Sequence, residues 1–208
     1  MVEGVVRVAQ GGLAAGLTLI LICTIKKSDA VHRLPERCGP ISKLCFFAGG
    51  FLLPPTGAIT GLLVLFAAYL AAMAYTDYYA RQVYPFYCIL VATFGYGWLC
   101  CSWVQRVGRV DMIWTIGYIL LVLIGQRLRA YTLGDAEIFV AAIPALAAVA
   151  SHTGRDLCQV YTFFFLGSAV CGVIGWLIRL VMTGSRDNNI AYVPAMYGAF
   201  LALLFLCG

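Results

Sequence analysis

Leu133-Gly134-Asp135-Ala136-Glu137 opens an apolar run that continues to about residue 151, and Thr76-Asp77-Tyr78 closes another that begins near residue 57. Each stretch puts an aspartate at the edge of a hydrophobic span, where an ionised side chain is costly and usually has a function. Between them lie two further apolar stretches, 86–104 and 112–126. An even number of crossings returns a chain to the membrane face it left. Asp77, ending one helix, and Asp135, beginning another, are therefore expected near the same surface at similar depth. The loop Thr183–Ala191, two spans further on, shares that face.

Composition supports reading these runs as spans. Hydrophobic residues make up 62% of the 208, charged residues only 11%, and mean hydropathy is +0.92. A soluble domain carries about a quarter charged residues, so this chain lacks a water-compatible surface and belongs in a lipid bilayer. The net charge of +5 is too thinly spread for nucleic-acid binding. Nine cysteines suggest a metal or disulfide framework, but no C-x-x-C pair occurs, and His32 and His152 are the only imidazoles. A structural zinc site needs four such ligands at short paired spacing. No metal and no cofactor is expected, and most cysteines read as small hydrophobes in helix packing.

The remaining apolar stretches fall at 8–25, 160–182 and 192–207, with a short one from Leu44 to Leu53 that ends at Pro54-Pro55. A membrane helix needs about 20 apolar residues, so the short stretch is either a brief span or a re-entrant segment, for a total of seven or eight spans. The fold class is all-α: a polytopic helical membrane protein. Residues 1–56 form an N-terminal helix, a basic loop and the short hydrophobic segment; residues 57–208 form a six-helix core. Glu3 and Arg7 precede the first run and no small-x-small site follows it, so that run reads as a retained span. Lys26, Lys27, Arg33, Arg37 and Lys43 make the loop 26–43 cytoplasmic by the positive-inside rule. If Leu44–Leu53 crosses, Asp77 also faces the cytoplasm; if not, the same rule places it outside.

Nine carboxylates can be taken one at a time. Glu3, Asp29, Glu36, Asp156 and Asp187 lie in hydrophilic termini or loops, and Asp111 follows Arg106 and Arg109; solvation or ion pairing accounts for these. Asp77, Asp135 and Glu137 remain. A structural reading makes them interfacial residues, with Asp135 as N-cap and Glu137 in the favourable first turn. A chemical reading pairs the aspartates. Two close carboxyls share a proton, so the ionised one can take a proton from water while the protonated one polarises a peptide carbonyl. Gly134 would allow close backbone approach beside Asp135.

Thr132-Leu133-Gly134-Asp135-Ala136-Glu137-Ile138 resembles the G-x-G-D-x-K-L motif of the type IV prepilin peptidases and archaeal preflagellin peptidases, which are membrane aspartic proteases. Asp77-Tyr78-Tyr79-Ala80-Arg81-Gln82-Val83-Tyr84-Pro85 is similar to the family's first motif, with the proline about one residue late. Tyr192-Val193-Pro194-Ala195 resembles the start of its last helix. The likeness covers roughly residues 57–208. It implies an aspartic endopeptidase in which Asp77 and Asp135 activate water, with Gly134, Glu137 and Pro194 binding substrate or shaping loops. The implied substrate is a prepilin-like precursor, cut between a short basic leader and a hydrophobic helix at the cytoplasmic face of the cell membrane. Two departures stand out. Thr132 replaces the first glycine, which stiffens the loop before Asp135, and Glu137 replaces the usual lysine. The loop 26–43, holding only Cys38, is far too short for the cysteine-paired loop of the long bacterial members, so no N-methyltransferase activity is expected. Two other readings use the same residues: a small transporter in which the paired aspartates bind a cation or relay protons, and a non-catalytic assembly protein on a protease scaffold. Internal inverted repeats would support a transporter, and none is visible.

Overall fold

The computed structural model describes residues 2–28, 34–54, 58–103, 109–183 and 191–207. Among them every regular element is a helix: α1 (Val2–Ser28), α2 (Pro40–Phe51), α3 (Ala58–Ala80), α4 (Pro85–Trp103), α5 (Arg109–Arg127), α6 (Leu133–Thr153), α7 (Leu157–Thr183) and α8 (Val193–Cys207). Four of these, α1, α3, α6 and α7, are long and apolar enough to cross a membrane, and α4 and α8 are shorter apolar helices. This is a helical membrane protein. The short segment before Pro54 forms α2, which starts at Pro40, where a proline sacrifices no intrahelical bond. Its 12 residues span about 18 Å, well short of the hydrocarbon thickness of about 30 Å.

Helices α3 and α6 form the centre. From Leu62 to Tyr75, α3 is buried except at Leu65, and from Ile138 to Ala150, α6 is buried except at Val140. Alanine dominates both, and small side chains let helix backbones approach where lipid supplies no hydrophobic drive. α6 also contains Pro144, whose missing N–H frees the carbonyl four residues earlier. That carbonyl, on Val140, accepts a hydrogen bond from the Tyr96 hydroxyl of α4 at 3.0 Å. The neighbouring Gly95 makes room for the ring: a Cβ there would sit 3.0 Å from the Pro144 ring. One pair of α4 residues thus accommodates the proline by shape and by polarity.

The N-terminal segment is packed onto this core. Thr18 of α1 donates to Ala68 of α3 (3.3 Å), and Gln10 and Thr60 both donate to the Pro54 carbonyl. Tyr197 of α8 donates to the Cys45 carbonyl of α2 at 2.7 Å.

Candidate active site

Asp135 takes its place from the helix that carries it. The N-cap of α6 is Thr132, not Asp135 as the sequence suggested, because a capping box closes one turn earlier. The Asp135 amide donates to Thr132 Oγ1 (3.3 Å), while Asp135 Oδ2 accepts from the Thr132 amide (2.9 Å) and hydroxyl (2.8 Å). Asp135 is therefore the third helical residue, where a negative charge meets the positive end of the helix dipole. Glu137 lies two residues further in, beyond the first turn. The signature is local: Thr-x-x-acid ahead of an apolar run reads as a capping box.

Asp77 sits in the last turn of α3, and its partner is distant in sequence. The amide of Val193, which begins α8, donates to Asp77 Oδ2 at 3.0 Å. A donor at the start of a helix has no intrahelical acceptor, so Asp77 caps α8 from another element. Pro194 follows at the second helical position, where its missing N–H costs nothing. Both aspartates are buried, at 8% and 5% exposure for Asp77 and Asp135, and each is close enough for the charge of Asp135 to act on Asp77. Two helix starts, α6 and α8, thus each hold one aspartate by its Oδ2.

Gly134 sets the approach of α6 to the turn after α3. A Cβ at this glycine would lie 3.0 Å from Val83 Cβ and 3.3 Å from its Cγ2. Val83 is only six positions after Asp77, so this contact fixes the spacing between the two motifs. The turns beside both acids use arginine in a left-handed conformation, with φ 57° at Arg81 and 59° at Arg129. Arg129 closes α5 with its own amide on Gln126 O and that of Ala130 on Gly125 O, both at 3.0 Å. That is a Schellman closure, in which glycine is the usual left-handed residue.

A cavity of about 740 Å³ opens beside Asp135. Arg129, Tyr131, Thr132 and Tyr192 line its polar end. Phe165, Ala169, Gly172, Val173 and Trp176 form an apolar wall from one face of α7, since residues three and four apart share a helix face. The Tyr131 and Tyr192 rings stack with centroids 6.3 Å apart, and the Tyr131 hydroxyl donates to Val122 O at 2.6 Å. Burial pushes the Tyr192 phenol up to about 12, with the charge of Asp135 adding to it. Tyr131 moves in the same direction for the same two reasons. Both phenols stay neutral through the pH range in which carboxylates titrate.

The sequence-derived residues thus separate into two groups. Asp77, Asp135, Gly134 and Pro194 converge at the starts of α6 and α8, whereas Glu137 points elsewhere. Its Oε2 is buried without a hydrogen-bond partner among the described residues. It lies toward Tyr69 and Cys88, which share a 2.7 Å hydrogen bond between α3 and α4. The loop holding Asp187 lies outside the described residues. Sequence reasoning did not find the Val193 amide, Tyr192 or the α7 wall. No group of three or more His, Cys, Asp or Glu side chains suited to a metal ion occurs among the described residues. Compared with protein-family models, curated proteins and solved structures, the chain matches none of them.

Proposed function

We propose that the chain is a membrane aspartic endopeptidase that removes the basic leader from prepilin-like precursors at the cytoplasmic edge of the membrane. The observation that carries this reading is that Asp77 and Asp135, from separate helices, are both buried at helix ends, near enough for the charge of one to act on the other. In this reading one carboxylate is ionised and takes a proton from water, while its protonated partner polarises the scissile carbonyl. Water adds to that carbonyl, the tetrahedral intermediate passes a proton to the amide nitrogen, and the C–N bond breaks to release leader and mature chain. The apolar α7 wall suits the hydrophobic helix that follows the leader in such a precursor.

The test is co-expression with a pilin-like precursor, following leader removal by gel shift. Wild type is expected to cleave. Asp77→Asn and Asp135→Asn are each expected to lose about a hundredfold to ten-thousandfold in rate, the range for general acid–base groups. The pH–rate profile is expected to be bell-shaped: activity falls at low pH as the ionised carboxylate gains a proton, and at high pH as the protonated one loses it. Cleavage that survives either substitution refutes the dyad. Wild type that cleaves no pilin-like precursor favours the transporter or assembly reading.

A further inference from the structure

Thr132 stands where the resembled motif has glycine, and its side chain makes two contacts that glycine cannot. Its Oγ1 donates to Asp135 Oδ2 at 2.8 Å and accepts from the Asp135 amide at 3.3 Å. The backbone amide of Thr132 also donates to Oδ2, at 2.9 Å, so both donors converge on one carboxylate oxygen. Oδ1 takes no hydrogen bond from the described residues, and Asp135 lines the cavity. A hydrogen bond to a charged carboxylate is stronger than a neutral one and favours the ionised form. We propose that Thr132 is a positioning residue of the peptidase site: its hydroxyl fixes Asp135 through Oδ2 and stabilises the charged carboxylate, leaving Oδ1 for water. This rests on the peptidase reading.

Other groups that act on Asp135 or share its end of the cavity are Asp77 from α3, Arg129 and Tyr131 from the turn between α5 and α6, and Tyr192 ahead of α8. α7 presents only apolar side chains to the cavity. The arginine holds its charge throughout and both phenols stay neutral, so the acidic limb of activity belongs to the two carboxylates. Removing the hydroxyl should therefore move that limb.

The experiment compares wild type with Thr132→Ser, Thr132→Gly and Thr132→Val in lipid nanodiscs, using a synthetic precursor. Glycine is an acceptable N-cap, so Thr132→Gly keeps the helix start while losing the hydroxyl. The acidic limb is expected to move to higher pH by about one unit in the glycine and valine variants, the size of one charge-assisted hydrogen bond. Thr132→Ser keeps the wild-type profile. In parallel, infrared pH titration of the carboxyl band assigned with Asp135→Asn is expected to follow the same order without substrate. Superimposable wild-type and glycine profiles, or a serine profile that shifts as far as glycine, overturn the proposal. A wild type that cleaves nothing while the infrared midpoint still shifts overturns the peptidase reading and leaves the Thr132–Asp135 coupling standing. If neither responds, both fall.

Discussion

The most apolar of the long central helices is not the most buried. Over its best window α7 has a mean hydropathy of 2.0, against 1.8 for α3 and 1.7 for α6, yet only 17% of that α7 window is buried, compared with 78% in each of the other two. Between α6 and α7, side-chain size accounts for the difference. α6 places alanine at 141, 142, 145, 147, 148 and 150, and all six are buried. α7 instead exposes Phe163, Leu166, Val170, Val173, Ile174, Leu177 and Ile178. In a bilayer, apolarity carries a helix into lipid but does not bring it against another helix; close packing of small residues does that. The two aspartates lie on the helices that packing fixes, and the open helix provides the cavity wall beside Asp135. Precision and access are divided between two kinds of helix.

The largest effect that tests this division is on stability. Gly95→Leu should force a side chain into the Pro144 ring that its Cβ already meets at 3.0 Å. Overpacking of this kind costs about 1–3 kcal/mol. Gly175→Leu, on α7, meets nothing within 4 Å, so it should be neutral or gain up to about 1 kcal/mol from helix propensity. Thermal unfolding in detergent measures both. Equal losses would mean that α7 packs as tightly as α6 in the membrane, and the contrast between the helices would collapse.

How much of this arrangement could be read beforehand follows from which contacts are local. Hydropathy shows the helical membrane class, and counting two apolar stretches between Asp77 and Asp135 predicts that both lie at one surface. Thr132-Leu133-Gly134-Asp135 carries its capping box in four consecutive residues, but comparison with a glycine motif drew attention to what was missing rather than to the hydroxyl that was present. The direction of Glu137 was also available: two residues at about 100° each turn it roughly 200° around the helix from Asp135. The bond from Val193 to Asp77 joins residues 116 apart, and no local pattern announces it. The α7 wall was hidden for another reason. A stripe facing a cavity and a stripe facing lipid have the same apolar composition, so periodicity cannot separate them.

Gly134→Ala tests the fixed side of the comparison by displacement rather than by bulk. The added methyl would meet Val83 Cβ at 3.0 Å, and a β-branched side chain yields little. The start of α6 should shift by a few tenths of an ångström relative to the turn after α3, moving Asp135 with respect to Asp77. Misplacement of about 1 Å can cost a hundredfold, so roughly a tenfold loss in kcat is expected, with KM unchanged. Stability should change by less than about 1 kcal/mol, since alanine is the better helix former. A normal kcat in Gly134→Ala would show that the spacing of the two aspartates tolerates adjustment and that tight packing around them serves stability alone.

The smallest effect belongs to the open side. Val173 lines the cavity at 57% exposure, while Val181, on the same helix, is 85% exposed and outside it. In the proposed reading, a substrate helix that leaves lipid for the α7 wall would exchange one apolar surroundings for another and gain no hydrophobic free energy there. What remains is the difference in contact between a shaped wall and fluid chains, at about 0.1–0.2 kcal/mol per atom pair. Val173→Ala should therefore raise KM only about two- to threefold and leave kcat unchanged, and Val181→Ala should alter neither, with a synthetic precursor in nanodiscs as the assay. A tenfold rise in KM for Val173→Ala would mean that the wall grips its substrate as closely as α3 and α6 grip each other. A matching rise for Val181→Ala would extend the docking surface along the whole of α7, beyond the cavity.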